Sequence, residues 1–294
     1  MFLSQTQIMP LETLRIALAI LGVCMGAYFD LFNNKNVPEI FLYGFLAIAF
    51  LTNIVAYEPN LFIYATASAA VIFGAFYLLY KAGQLGGADV YILASIALLL
   101  PLQPQVSPFI FQSIIPQLPF IANVILVSGI SLMIYMIARS IPTAAKFASN
   151  PKNLDKKAVL NSFVILVSFG AFSYISVSSG LVPYTYFIFI SFLVGFSMYF
   201  TLFKQAINQS MVEWADYNGV EPEDIIAIDL MDKEVVLKYS LSRLVDEKMH
   251  ERMKKIHGNK IAVYKHLPPF VPHILVGLVF SILFGNLILF FSGI

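Results

Sequence analysis

Two aspartates lie at the ends of apolar segments, where a charged side chain is energetically unfavourable. Asp30 closes the first apolar run, in CMGAYFDLFNNKNVP, and Asp89 opens the fourth, in GQLGGADVYILASIALLLP. A carboxylate at the centre of a membrane helix costs about 2.5 to 3.5 kcal/mol on insertion scales. If the first run crosses the membrane inward and the fourth crosses it outward, both aspartates lie at the cytoplasmic boundary at matching depth.

Two carboxyl groups a few ångströms apart can do chemistry that neither does alone. They cannot both ionise easily, so they share a proton. One can act as a general base on a water molecule while the other polarises a carbonyl group as a general acid. The spacing leaves one alternative open, in which Asp30 and Asp89 are unrelated boundary residues.

Three glycines, Gly83, Gly86 and Gly87, precede Asp89 within a short stretch. Glycine is about 1 kcal/mol less favourable than alanine in a helix, so the cluster predicts a flexible backbone or the close approach of another segment. Irregular backbone at this depth is tolerated where it lines a water-filled cavity. The alternative is a tight helix-packing surface of small residues.

Membrane-spanning helices must position these groups, because 59% of the residues are hydrophobic and only 12% are charged. Soluble domains carry about 25% charged residues. We therefore expect an all-α polytopic membrane protein in contact with the lipid bilayer. The net charge of +1 gives no bias toward nucleic acid. A span needs about 20 apolar residues, and eight are predicted, with six plus a re-entrant pair as the alternative. The predicted spans are 13–32, 39–57, 60–80, 86–102, 119–138, 158–178, 181–203 and 269–291.

The basic residues predict the orientation of these spans in the cell membrane. All Lys and Arg residues except Arg15 fall in the four loops that follow the odd-numbered spans. By the positive-inside rule, those loops are cytoplasmic and both termini are outside. The Asp30/Asp89 pair and the hydrophilic segment 204–267 then face the cytoplasm.

This orientation divides the chain into four predicted parts. They are a membrane catalytic core (1–138), a basic loop with spans six and seven (139–203), a small cytoplasmic α+β domain (204–267) and a C-terminal transmembrane helix (268–294).

Secondary structure within 204–267 is predicted from short patterns. The stretches DIIAIDL, KEVVLKY and KIAVYK are rich in β-branched residues and predict strands. The stretch 240–258 predicts an amphipathic helix capped by Gly258. Its apolar face comprises Leu241, Leu244, Val245 and Met249.

The cysteine and histidine residues indicate neither a metal site nor a cofactor site. The single cysteine, Cys24, excludes an intramolecular disulfide and any CxxC-type metal site. The histidines lack the i,i+4 spacing of metal-binding helices and indicate solvated or interfacial positions. They are His250, His257, His266 and His273.

Three sequence features resemble the type IV prepilin peptidases, and most closely their archaeal branch, the preflagellin and pilin-type prepilin peptidases. The stretch GGAD (86–89) resembles the GxGD motif of these membrane aspartyl proteases, with Gly86, Gly87 and Ala88 as its backbone support. DLFNNKNVP (30–38) resembles the loop after their first aspartate. LPPFVPHILVGLVF (267–280) resembles the start of their last helix.

The resemblance implies a function and a substrate class. Asp30 and Asp89 would be the catalytic pair of an aspartic endopeptidase, a hydrolase that needs no metal. Its substrates would be pilin-like, archaellin or sugar-binding precursors with a short basic leader, a cleavage site beside a glycine, and a hydrophobic helix. Residues for positioning the substrate or the last helix would be Pro268, Pro269, Phe270 and Pro272.

The chain also departs from the family pattern. Ala88 replaces the second glycine of GxGD, and the loop after Asp30 lacks the basic residues of bacterial members. A single cysteine excludes the cysteine-rich domain of bacterial members, so we expect cleavage without N-methylation. The acidic stretch EPEDIIAID (221–229) is interpreted as a solvated surface, with attraction of the basic leader as the alternative.

Other classes of function compete with this interpretation. A proton-coupled transporter or channel could use the two aspartates as proton carriers, although such proteins usually place polar groups near the midplane and show paired interrupted helices. A membrane scaffold would leave both aspartates without a purpose. Relatives of signal peptide peptidase share a GxGD-type site but carry a PAL tripeptide that is missing near the last span. Homo-oligomerisation is an open alternative to a monomer.

Overall fold

The fold is mostly helical in the computed structural model of the chain. The residues that it describes are 9–33, 36–106, 119–149, 155–180, 184–216, 219–221, 224–253, 260–265 and 267–285. The helices are α1 (Glu12–Phe32), α2 (Glu39–Val55), α3 (Pro59–Lys81), α4 (Gly87–Leu99), α5 (Phe120–Ala148), α6 (Lys156–Ser178), α7 (Tyr184–Met211), α8 (Lys233–Lys238), α9 (Glu247–Met253) and α10 (Val271–Phe284). Two short strands are β1 (Glu213–Ala215) and β2 (Ile261–Val263).

Five of the described helices, α1, α3, α5, α6 and α7, are long and apolar enough to cross a membrane. The helices α2, α4 and α10 are apolar but shorter, although each falls within a predicted span. Helix α4 stops at Leu99 because Pro101 disfavours a helical conformation in the residue before it. Part of the last predicted span, residues 286–291, lies outside the described residues. These helices support a multi-pass membrane protein.

The chain divides into two compact units. The first comprises the described residues of Met1–Tyr80, Leu85–Tyr135 and Pro269–Ile294. The second comprises those of Lys81–Gln84 and Met136–Pro268.

Helix α4 lies at the centre of the first unit. It packs against α1, α2 and α10, and every residue from Val90 to Leu99 except Tyr91 is buried. A helix that is apolar on all sides is typical of a position surrounded by other helices. The neighbouring helices α1 and α2 approach each other closely at Gly22, where any Cβ would collide with the ring of Phe45.

Helices α5 and α10 approach each other closely at Gly277. A Cβ there would lie 2.5 Å from the carbonyl oxygen of Val124 and still closer to the hydroxyl of Ser128. This contact needs glycine because the backbone of α5 cannot move aside as a flexible side chain would.

We predict that Gly277→Ala lowers the thermal unfolding midpoint in detergent, since overpacking costs about 1–3 kcal/mol. Gly44→Ala is the matched control, because a Cβ at Gly44 meets nothing within 4 Å and alanine is favoured in helices by about 1 kcal/mol. An unchanged or higher midpoint for Gly277→Ala would contradict this packing.

The second unit contains the helices α6 and α7, which pack together, and a two-stranded antiparallel sheet. Helix α7 continues to Met211, beyond the predicted end of span seven at 203. In the sheet, Trp214 of β1 pairs with Ala262 of β2. The apolar core beside the sheet includes Ile226, Met249 and Met253.

Two of the three strand predictions in 204–267 need correction. KIAVYK contains β2, as predicted. KEVVLKY instead forms α8, because Asp232 caps the helix by accepting a hydrogen bond from the Glu234 backbone N–H at 3.1 Å. DIIAIDL contributes only isolated bridges at Ile225 and Ile226, followed by a short 3₁₀ helix.

The long helix predicted over 240–258 was also wrong in extent. Helix α9 begins only at Glu247, after Asp246 accepts a hydrogen bond from the Met249 N–H at 2.6 Å. Upstream, Ser240 has a φ of 48° and Leu244 forms a bridge to Ile225. Leu241, Val245 and Met249 contribute to the apolar core of the second unit, but not from one helix face. The predicted cap Gly258 lies outside the described residues.

Candidate active site

Asp30 lies in the last turn of α1 and is 8% exposed. Its Oδ2 accepts a hydrogen bond of 3.0 Å from the backbone N–H of Val271, the first residue of α10. The first N–H groups of a helix have no partner within the helix, and the helix dipole makes this end positive. Asp30 therefore supplies a hydrogen-bond acceptor to the start of α10.

Asp89 is the third residue of α4 and is 5% exposed. Its Oδ2 accepts a 3.0 Å hydrogen bond from the N–H of Gly86, the residue that precedes the helix. A carboxylate in the first turn that binds the capping N–H is half of a capping box. Asp89 thus stabilises the start of its own helix and is held in one orientation by it.

The structure explains why glycine is needed at two of the three glycine positions before Asp89. A Cβ at Gly86 would lie 3.2 Å from Oδ2 of Asp89, so glycine leaves room for the carboxylate. Gly83 has a φ of +65°, which side-chain-bearing residues rarely adopt. At Gly87, a Cβ would only reach van der Waals contact with Tyr80. Ala88, at the second glycine of GxGD, packs against the core of the first unit.

The two aspartates are close enough for their charges to interact. They come together because α1, α4 and α10 converge at Gly26, one turn before Asp30. A Cβ at Gly26 would lie 2.8 Å from the side chain of Ile92 on α4 and 3.3 Å from that of Val271 on α10. The structure therefore brings two buried carboxyl groups together, each holding a backbone N–H at the start of a helix. Such a pair can share one proton and serve as acid and base.

The prolines near the last helix lead into α10. Phe270 precedes the helix and packs against the core, and Pro272 lies in its first turn, where a missing N–H is harmless. Pro268 and Pro269 belong to the non-helical segment before Phe270. This helix start places the Val271 N–H at Asp30.

Arg15 and Asn53 are buried polar residues that no sequence motif marks. Arg15 was counted only as an outer-side charge, yet it is fully buried and donates a 3.0 Å hydrogen bond to Oδ1 of Asn53. Glu12 in the first turn of α1 is also buried. An arginine three residues into an apolar helix was the signal that could have identified this cluster.

The histidines fall into two groups. His257 and His266 lie outside the described residues. His273 lies 2.9 Å from the hydroxyl of Ser131 and contacts the ring of Tyr135, and His250 lies 2.9 Å from the carbonyl oxygen of Val220. Among the described residues, no three His, Cys, Asp or Glu side chains cluster as metal ligands.

One comparison with known proteins gives a match. Residues 16–138 match the type IV leader peptidase family, a segment that contains both aspartates and covers less than half of the chain. No curated protein and no solved structure matches the chain. The family match supports a peptidase, and together with the long apolar helices it supports a membrane-embedded one.

Proposed function

We propose that this chain is a membrane aspartyl endopeptidase that removes the short basic leader from type IV pilin-like or archaellin precursors. Asp30 and Asp89 are its catalytic pair. The observation that carries the proposal is the pairing of these two buried carboxyl groups within the segment that matches the type IV leader peptidase family. The archaeal form of the family is proposed because the chain has a single cysteine.

The proposed reaction is a peptide hydrolysis in which the aspartate pair transfers the protons. One carboxylate takes a proton from a water molecule, whose oxygen forms a bond to the scissile carbonyl carbon, while the protonated partner donates to the carbonyl oxygen. The carbon–nitrogen bond then breaks as the leaving amine takes up a proton from the pair. One hydroxyl of the tetrahedral intermediate returns its proton to the pair as the product carboxyl group forms, which restores the single shared proton. Because either carboxyl group could hold the shared proton, the proposal assigns both roles to the pair, with no metal or cofactor.

The membrane arrangement that suits this reaction has eight spans, with α2, α4 and α10 among them. Both termini are outside, and the aspartate pair lies at the cytoplasmic boundary. The distribution of basic residues supports this orientation. A basic leader would then stay in the cytoplasm while the hydrophobic helix of the precursor remains in the lipid.

The acidic stretch that begins at Glu221 is interpreted as a solvated surface, and its local contacts bear on the alternative that it attracts the basic leader. Asp224 forms a 2.6 Å salt bridge with Lys265 and accepts a 2.8 Å hydrogen bond from the N–H of Glu221. Its charge is therefore partly neutralised within the second unit. Among the described residues of the stretch, Glu221 and Asp229 are exposed and remain candidates for attracting a basic leader, whereas Glu223 lies outside the described residues.

The test is cleavage of a co-expressed precursor in isolated membranes. We expect the wild-type chain to convert a pilin-like or archaellin precursor into a shorter product, whose N-terminus mass spectrometry places at the end of the basic leader. Membranes without the chain are the control. Failure to cleave pilin-like, archaellin and sugar-binding precursors, with the chain detected in the membrane, would overturn the proposed function.

A further inference from the structure

Arg15 is an unusual residue for the interior of a membrane helix. It is the fourth residue of α1 and is 0% exposed. Arginine at the centre of a membrane helix costs about 2.5 to 3.5 kcal/mol on insertion scales. Charged residues inside spans normally pair with other side chains or with backbone carbonyls and serve a function.

The guanidinium of Arg15 holds the C-terminal end of α4. Its Nη1 donates hydrogen bonds to the carbonyl oxygens of Leu99 at 3.1 Å and Leu98 at 3.4 Å. The last carbonyls of a helix have no partner within the helix and form its negative end. Asn53 of α2 donates a 3.0 Å hydrogen bond to the same Leu98 oxygen and accepts one from Arg15.

The segment after α4 is fastened to the same turn of α1. Oε1 of Glu12 accepts a 2.7 Å hydrogen bond from the backbone N–H of Gln105. Glu12 and Arg15 lie one turn apart on α1, so the start of this helix binds both the end of α4 and the loop that follows it. Among the described residues, Nη2 of Arg15 and Oε2 of Glu12 have no hydrogen-bond partner.

The two helices joined by Arg15 also carry the two aspartates at their other ends. Asp30 closes α1 and Asp89 opens α4, which has only 13 residues and is apolar on nearly every side. Between membrane helices, polar contacts add to van der Waals packing, because lipid tails are as apolar as the helix surface and burial alone does not drive association. The hydrogen bonds of Arg15 are directional, so they oppose sliding of α4 along α1.

We propose that Arg15 is a positioning residue that sets the axial position of Asp89 against Asp30 by holding the end carbonyls of α4. This inference rests on the proposed function for its effect on catalysis. Its effect on helix position does not depend on that function. The two effects are tested separately.

The catalytic effect is measured with Arg15→Gln and Arg15→Lys. A displacement of about 1 Å costs about 10²-fold in rate, so we expect Arg15→Gln to lower kcat by about 10²-fold while KM stays within about twofold. Lysine keeps the charge and can donate to one carbonyl at a time, and we expect it to restore part of kcat. Arg139→Gln, the same change at an exposed arginine of α5, should leave kcat unchanged.

The positional effect is measured by cysteine cross-linking without any substrate. In a Cys24→Ser background, Gly26→Cys and Ile92→Cys place two thiols where α1 and α4 touch. We expect copper-phenanthroline to form the disulfide rapidly with Arg15 present, more slowly with Arg15→Lys and slowest with Arg15→Gln. The Arg139→Gln variant should cross-link at the rate of its parent.

Each result decides the inference. Slower cross-linking in both Arg15 variants supports it, and a matching graded loss of kcat extends it to catalysis. Equal cross-linking rates with and without Arg15 overturn the inference, even if kcat falls. Failure of the double-cysteine parent to cross-link also overturns it, because α1 and α4 would then not be held as the structure shows. If the wild-type chain cleaves no precursor, the proposed function fails, while the cross-linking rates still decide whether Arg15 positions α4.

Discussion

Asparagine in place of either Asp30 or Asp89 is expected to lower the rate of precursor cleavage by about 10²- to 10⁴-fold, the range that general acid–base catalysis contributes. The exchange is nearly isosteric and removes only the ionisable group. Oδ1 of asparagine can still accept the N–H of Val271 at position 30 or of Gly86 at position 89. A loss of rate would therefore report lost proton transfer, not a lost helix contact.

The measurement is the initial rate of leader removal in membranes, normalised to the amount of enzyme. Asp216→Asn is the matched control, since Asp216 is exposed and lies in the second unit; its rate should equal that of the wild type. Full cleavage by Asp30→Asn or by Asp89→Asn would remove that residue from the mechanism and favour the unrelated-boundary alternative. Equal thermal midpoints for all variants would show that folding is not the cause.

The sequence predicts that Asp30 and Asp89 lie at the same membrane boundary, because that placement follows from the direction and depth of the spans. Each predicted span crosses the membrane in the direction opposite to the span before it. The end of the first span and the start of the fourth therefore lie at the same boundary, whichever helices contact each other. The structure adds the hydrogen bond from Val271 to Asp30, which joins residues 241 positions apart. No local pattern encodes that contact, because it depends on how α10 packs against α1.

Arg15 shows why the opposite end of the same helices was harder to predict. Counting basic residues on either side of the membrane treats arginine as a mobile surface charge. Its actual partners are the carbonyl oxygens of Leu98 and Leu99, which every residue carries and which no sequence motif marks. These carbonyl oxygens lack partners within the helix because α4 ends at Leu99. The predicted span extends to residue 102, so the sequence does not locate this helix end.

The strand predicted at KEVVLKY in the second unit was wrong for a local reason. Val235 and Val236 favour a strand by composition, but Asp232 can cap a helix and Glu234 favours the positive end of its dipole. In a segment of only six helical residues, one capping hydrogen bond outweighs the β-preference of two valines. In this segment the capping residue Asp232 is therefore a better predictor of the structure than β-branching.

Val271→Pro is expected to lower kcat relative to Val271→Ala, because only the proline removes the N–H that Asp30 accepts. Hydrogen bonds to charged groups contribute about 1.5–3 kcal/mol, which corresponds to about 10- to 100-fold in rate if the bond orients the reacting carboxylate. Alanine removes the same methyl groups that pack beside Gly26 but keeps the N–H. Proline suits the first position of a helix, although it disfavours the helical conformation of Phe270 before it.

The comparison of Val271→Pro with Val271→Ala therefore uses kcat and the thermal midpoint together. A lower kcat for the proline variant at an equal midpoint would assign the start of α10 a direct part in orienting Asp30. Equal kcat values would reduce α10 to a packing partner of α1, and the Val271 hydrogen bond would then have no catalytic consequence. A lower kcat with a lower midpoint is resolved by measuring at a temperature where both variants are folded, since an orienting effect persists there and an unfolding effect disappears.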